Sequence, residues 1–288
     1  MADTDTPGEP VATTTIVSPP KPKSEMRETL SFLLKLGLGV AIFRSFFFSP
    51  FFIPSQSMLP RLYVGDYLFV SKWNYGFSRW SLPFGVPLIP GKILSRTPER
   101  GDVVVFRGPP PRDDDHDVIK RVIGLPGDTI EMRHGQLILN GVAVPKVPVA
   151  DFTIPLSPNY SDPRPGDDGC RAEFRDVLNG QPICRYKQFR ETLPNGVSYN
   201  VLDRGDDAPG DTTGLYTVPA GTVFLMGDNR DDSGDSRFAP PEGMGFIPFD
   251  RLEGKALFTF WSTDGSASWV LPWTWFTAAR WSRMGQGF

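Results

Sequence analysis

The sequence predicts a mostly β protein with an inserted loop-rich subdomain, carried behind a single N-terminal membrane-spanning helix. Three observations predict it. Residues 29–53, TLSFLLKLGLGVAIFRSFFFSPFFI, are the longest apolar segment of the 288-residue chain. Behind them come short Val-, Ile- and Phe-rich runs, cut by turns in a sequence with 30 Pro and 29 Gly. Between 145 and 215 that pattern lapses into polar, loop-rich sequence, and it resumes afterwards.

Residues 1–28 read as a disordered cytoplasmic tail, since 1–24 are rich in Thr, Pro and acidic residues without apolar periodicity. About 20 residues cross a bilayer, so 29–49 can form an anchor. Lys35 and Arg44 interrupt it nine positions apart, on opposite sides of a helix turning about 100° per residue. An amphipathic surface helix would gather its charges on one face; these two can snorkel towards opposite interfaces. A cleavable signal peptide is the rival reading, but FFFSPFFIPSQ offers no A-x-A-like site. Lys21, Lys23 and Arg27 precede the span, which places the N-terminus in the cytoplasm and everything after residue 54 across the membrane.

Residues 50–141 form the first part of the folded domain. YLFVSKW (67–73), DVVVF (102–106), VIKRVIG (118–124) and TIEMRHGQLILNG (129–141) read as strands, the last turning at Asn140-Gly141. Residues 142–220 are the insertion, and 221–288 complete the domain with GTVFLMGDNR and GKALFTFW.

Composition excludes several functions. A net charge of −3 and a pI near 5.5 leave no footprint for nucleic acid. The two cysteines, Cys170 and Cys184, cannot make a zinc site. They are a disulfide candidate in an oxidising compartment and two plain thiols in the cytosol. His116 lies in the acidic run RDDDHD, a solvated loop for which metal binding is the lesser reading. Neither it nor His134 has the apolar, turn-framed setting of a catalytic base, which weighs against a Ser-His-Asp site. No cofactor and no metal is implied.

Three stretches mix polar and apolar residues beyond what a core requires: IPSQSM with Ser55 and Ser57, VIKRVIGLPGD with Lys120, and GDNRDDSGDSR at 227–237. Lys120 and Arg121 are adjacent in an apolar strand whose side chains alternate faces, so one of the two cations points inward. A carboxylate partner could cover it. Alternatively, burial lowers a lysine's pKa and yields a neutral amine able to take a proton from a serine.

IPSQSMLP, GDYLFV, RGDVVVF, IKRVIGLPGD and GDNRDDSGDSR, in that order behind an N-terminal span, resemble the bacterial type I signal peptidases. These are membrane-bound Ser/Lys endopeptidases that cleave signal peptides from exported preproteins after small residues (Ala-x-Ala type) through an acyl-enzyme. The resemblance implies a signal-peptidase-like β-sheet catalytic domain on the periplasmic side of the inner membrane. By motif, Ser57 takes the nucleophile's place and Lys120 the general base's. Ser55 joins the Ser57 backbone N–H in the oxyanion hole. Ser233 matches the serine that orients the lysine, and Asp235 with Arg237 matches a supporting ion pair. Asp228, Asn229 and Arg230 are assigned loop architecture only. The chain departs from the common pattern at Gln56, Arg61 and Asp232.

Ile53, Pro54, Met58, Leu62, Val118 and Ile119 flank the serine and lysine in sequence and are the candidate substrate pocket; core packing is the rival for Leu62 and Val118. The tryptophan-rich tail, with Trp261, Trp269, Trp273, Trp275 and Trp281, reads as a surface for membrane lipid. The expected partners are signal-peptide-bearing preproteins and lipid, with no nucleic acid, and the chain is expected to be a monomer. A self-cleaving repressor with the same dyad would need a DNA-binding domain and no span. A scaffold that had lost its chemistry would be expected to lose Ser57 or Lys120.

Overall fold

The structure, a computed structural model, describes residues 25–110, 116–161, 169–205, 207–268 and 270–288. The expected tail at 1–24, the acidic run at 112–115 and Trp269 lie outside the described residues. The chain falls into two units, one ending at Val40 and one running from Ala41 to Phe288.

The first unit holds most of helix α1, Glu25–Phe46. It is exposed from Glu25 to Val40, and it is long and apolar enough to cross a membrane. The helix ends earlier than the apolar run does. Phe48–Phe52 instead form strand β1 at the edge of the main sheet. Pro50 belongs there, because an edge strand tolerates a residue without a backbone N–H.

The second unit is built on one antiparallel sheet of seven strands. These are β1, β2 (Asp66–Ser71), β3 (Val103–Arg107), β4 (Asp117–Gly124), β5 (Thr222–Met226), β6 (Ile247–Pro248) and β7 (Leu252–Ser262). Their spatial order is β1-β2-β7-β3-β4-β5-β6. Residues of β3 alternate between two cores. Val103 and Val105 pack with Ile53, Met58, Leu62 and Ile119, while Val104 and Phe106 pack with Val122, Leu225 and Leu252. The central strands are therefore covered on both faces and read as continuous apolar runs rather than alternating ones.

Smaller antiparallel sheets extend from this one. Thr129–Arg133, Gln136–Leu139 and Val142–Ala143 join Tyr216–Thr217 in one of them. The insertion contributes two three-stranded sheets, one through Gln188–Thr192 and the other through Gln181–Tyr186. Cys170 and Cys184 are bonded to each other there, with Cα atoms 5.9 Å apart. They share a core with Leu59, Val64, Tyr160 and Leu202. In sequence the pair is more than 100 residues from the serine motif. In the fold its core includes Leu59, two residues beyond Ser57.

Candidate active site

Ser55 and Ser57 lie in the turn that follows β1. The root of this turn is clamped: the Ile53 N–H donates to the Asp66 carbonyl at 2.9 Å, and the Ile53 carbonyl accepts from Gly65 at 3.0 Å. The Leu62 N–H donates to the Met58 carbonyl at 2.9 Å, closing one helical turn. Met58, Leu59 and Leu62 are fully enclosed and pin the turn from below. Ser57 is itself buried, at 8% exposed, with its Oγ 3.4 Å from that of Ser55.

Lys120 stands in the middle of β4, 63 residues from Ser57 in sequence. Its Nζ donates to Ser57 Oγ at 2.6 Å and to the Ile119 carbonyl at 3.0 Å. The side chain is 3% exposed. Serine hydroxyl and lysine amine therefore meet in a dry, confined setting.

Arg121 turns the other way and is just as buried. Its Nε and Nη2 bond both oxygens of Asp228 at 2.7 and 2.6 Å, and Nη1 donates to the Gly101 carbonyl at 2.8 Å. Burial works against its charge, but the Asp228 carboxylate outweighs that and holds the guanidinium more firmly protonated than usual. Sequence alternation requires only one inward cation. Both are inward because the sheet is covered on both faces.

The third motif, 227–237, runs beside the serine turn. Asp235 and Arg237 form a fully buried pair, with Arg237 Nε 2.9 Å from Asp235 Oδ1 and Nη2 3.0 Å from Oδ2. Burial pushes the Asp235 carboxyl up, but the Arg237 charge and its hydrogen bonds win and hold it below the usual range. Ser233 is buried in the same loop. Its hydroxyl has no hydrogen-bond partner among the described residues, neither Asp235 nor Lys120.

Of the six pocket candidates, Ile53, Met58, Leu62 and Ile119 share one cluster. Val118 packs against a different cluster, and Pro54 is exposed. Among residues of the aromatic tail, Trp273, Trp275, Phe276 and Trp281 are exposed, while Trp261 is half-buried and packs edge-on against Trp281.

The sequence profile of the signal peptidase family (signal peptidase, peptidase S26) matches residues 26–261. The chain belongs to this family. A signal peptidase I from Rickettsia typhi is 35% identical over 249 residues, which are 84% of this chain and 82% of that protein. One from Rickettsia akari is 36% identical over 231 residues, 77% of this chain and 74% of the relative. A crystallised signal peptidase I from Enterococcus faecalis V583 is 28% identical, covering 56% of this chain and 97% of its own, with a TM-score of 0.27.

Within this signal peptidase, two residues outside the predicted set shape the serine turn. Asn229 donates its backbone N–H to the Ser57 carbonyl at 3.0 Å and its Nδ2 to the Gln56 carbonyl at 3.2 Å. Gly227 allows the approach: a Cβ there would lie 2.5 Å from the Ser57 carbonyl oxygen and 2.3 Å from Ser233 Oγ. Both residues sit in the motif loop, so the loop itself was the available signal.

The insertion also reaches the loop. Glu191 takes both Nη atoms of Arg230, at 2.7 and 2.5 Å, and accepts from Tyr199 Oη at 2.9 Å. The same Tyr199 ring lies under the Arg121 guanidinium at 4.3 Å. Asp232, one of the departures, pairs with Arg204 and stands 3.7 Å from Arg171. The inserted segment thus supplies counter-charges to the loop beside Ser57.

Proposed function

We propose that the chain is a membrane-anchored serine endopeptidase that removes signal peptides from preproteins by a Ser57–Lys120 dyad. The observation that carries this reading is the 2.6 Å contact between Lys120 Nζ and Ser57 Oγ, both residues being buried. Burial disfavours the ammonium form, and the acceptors at 2.6 and 3.0 Å, a hydroxyl and a carbonyl, carry no charge. A neutral Lys120 can then accept the Ser57 proton as Oγ attacks the scissile carbonyl.

The attack forms a C–O bond and places negative charge on the former carbonyl oxygen. The Ser55 hydroxyl and the Ser57 backbone N–H are assigned to that oxygen; one donor aimed at such a charge is worth roughly 2.7–4 kcal/mol. When the C–N bond breaks, Lys120 gives its proton to the leaving amine and the mature protein departs. Lys120 then takes a proton from water as it attacks the Ser57 ester. This frees the signal peptide carboxylate and restores the serine.

Selectivity for small residues of the Ala-x-Ala type is assigned to the apolar surface around Ile53, Pro54 and Ile119. Helix α1 is assigned as a single-pass anchor in the bacterial inner membrane, with the catalytic unit on the periplasmic face. The exposed Trp273, Trp275, Phe276 and Trp281 are assigned to the lipid interface.

The test is cleavage of a preprotein bearing an Ala-x-Ala site by purified full-length protein. Ser57→Ala and Lys120→Arg are each expected to abolish it with the thermal transition preserved, because a guanidinium stays protonated and cannot act as base. Wild-type cleavage by either variant overturns the dyad.

A further inference from the structure

Three aspartates converge next to the 227–237 loop, away from the Ser57–Lys120 contact. Asp203 follows the strand Ser198–Leu202, Asp211 lies in the segment after it, and Asp231 belongs to the loop itself. One carboxylate oxygen of each lies within 4.8 Å of the other two. Asp203 and Asp211 are 3% and 1% exposed. Asp231 is half-buried. Three carboxylates this close, two of them almost out of solvent, repel one another and lose hydration, which demands compensation.

The protein supplies only part of it. Lys146 Nζ bonds Asp203 Oδ2 and the Gly135 carbonyl. Arg204 and Arg237, the other nearby cations among the described residues, are committed to Asp232 and Asp235. Arg237 Nη1 comes up beside Gly210 without bonding any of the three aspartates. Three negative charges against the one of Lys146 leave two uncompensated.

The hydrogen bonding has a matching deficit. Backbone N–H groups satisfy one oxygen per group: Gly205 to Asp203 Oδ1 at 3.2 Å, Ala208 to Asp211 Oδ2 at 2.7 Å, and Arg204 to Asp231 Oδ2 at 2.6 Å. The remaining oxygens of Asp211 and Asp231, Oδ1 in both, are buried and have no hydrogen-bond partner among the described residues. Buried carboxylate oxygens without donors call for a cation or a proton. Burial first, and then Asp231, push the Asp211 carboxyl up to about 6. The Asp231 carboxyl is raised as well, mainly by burial.

We infer that Asp203, Asp211 and Asp231 form a binding site for a hard divalent cation, with calcium the best fit. All the donors are oxygens, with no sulfur or imidazole to favour zinc or copper. Calcium–oxygen bonds of roughly 2.4 Å allow two ligand oxygens on one ion to be at most about 4.8 Å apart, the span of this cluster. A double charge matches the deficit of two. The ion would tie the 203–211 segment to Asp231, two residues before Ser233, so the loop beside the serine turn would be most ordered when calcium is bound. The competing arrangement is a proton shared among the carboxyls.

The test uses full-length protein in detergent, titrated with calcium by calorimetry and with terbium by sensitised luminescence. One calcium site is expected, with a melting temperature several degrees higher in calcium than in a chelator. Asp211→Asn and Asp231→Asn should each weaken binding at least tenfold without lowering the calcium-free melting temperature, since each removes repulsion. Two variants are used so that a folding failure in one leaves the other to decide. Absence of binding at millimolar calcium, or wild-type affinity in both variants, would overturn the site and leave a shared proton as the arrangement of the cluster.

Discussion

Lys120 and Arg121 are adjacent, cationic and buried, yet their replacement by Met should have opposite consequences. Arg121→Met deletes three bonds, two to Asp228 at 2.7 and 2.6 Å and one to the Gly101 carbonyl at 2.8 Å. Asp228 is 1% exposed, so it is left as a buried charge without its partner. Breaking one side of such a pair costs about 3–5 kcal/mol. At roughly 2–4 °C per kcal/mol for a unit of this size, the melting temperature should drop by about 6–20 °C. Lys120→Met instead replaces a buried amine, bonded at 2.6 and 3.0 Å to uncharged groups, by an apolar chain of similar length. Volume-conserving swaps cost under about 1.5 kcal/mol, which keeps the shift within about 6 °C. Cleavage should disappear all the same. The assay is a thermal melt of each full-length variant in detergent, paired with preprotein cleavage at 25 °C. Retained cleavage in Lys120→Met would refute the role of the amine. An unshifted melt in Arg121→Met would refute the account of Asp228.

Two further outcomes follow from the same contacts. Reducing the Cys170–Cys184 bond, whose partners are 14 residues apart in sequence, should cost about 3 kcal/mol by loop-closure entropy; the melting temperature should fall while cleavage at 25 °C persists, and an unchanged melt would show that the bridge adds nothing. Asn229→Ala removes the Nδ2 bonds to the Gln56 carbonyl at 3.2 Å and to Asp232 at 3.3 Å, about 1 kcal/mol each; kcat should fall more than KM changes, whereas an unaltered kcat would mean that the backbone N–H alone holds the turn.

The serine and lysine were legible in the sequence because they sit in short stretches whose order is itself informative. The apolar run announced a helix. The point where it ends was not legible, since the phenylalanines that close the run suit an edge strand as well as a bilayer, and pairing with Asp66–Ser71 decides between them. Asp235 and Arg237 match a supporting ion pair by motif, but a spacing of two residues does not tell a buried pair from a surface one; the fold encloses the loop. The partners of Arg121, Arg230 and Lys72 lie 107, 39 and 181 residues away. No local pattern encodes such distances. The carboxylate cluster was hidden for the same reason, its members being spread from 203 to 231.

The proposed role of Lys120 as base sets a condition on the charges around it, which the insertion helps to meet. A free carboxylate beside the amine would stabilise the ammonium and remove the base. The loop packed against the serine turn is nonetheless strongly acidic, with Asp228, Asp231, Asp232 and Asp235 within eight positions. Three of the four are committed to a guanidinium, Asp228 to Arg121, Asp232 to Arg204 and Asp235 to Arg237. Guanidinium is the right partner because it stays charged at any working pH and grips a carboxylate with two donors. Arg230 has its own carboxylate in Glu191. Two of these groups, Arg204 and Glu191, come from the insertion. Without the insertion, which also carries Arg171 at 3.7 Å, Asp232 would lack a close cation and Arg230 would lose its hydrogen-bonded carboxylate. The fourth carboxylate, Asp231, faces Asp203 and Asp211 instead, which is the charge the inferred calcium would hold in place.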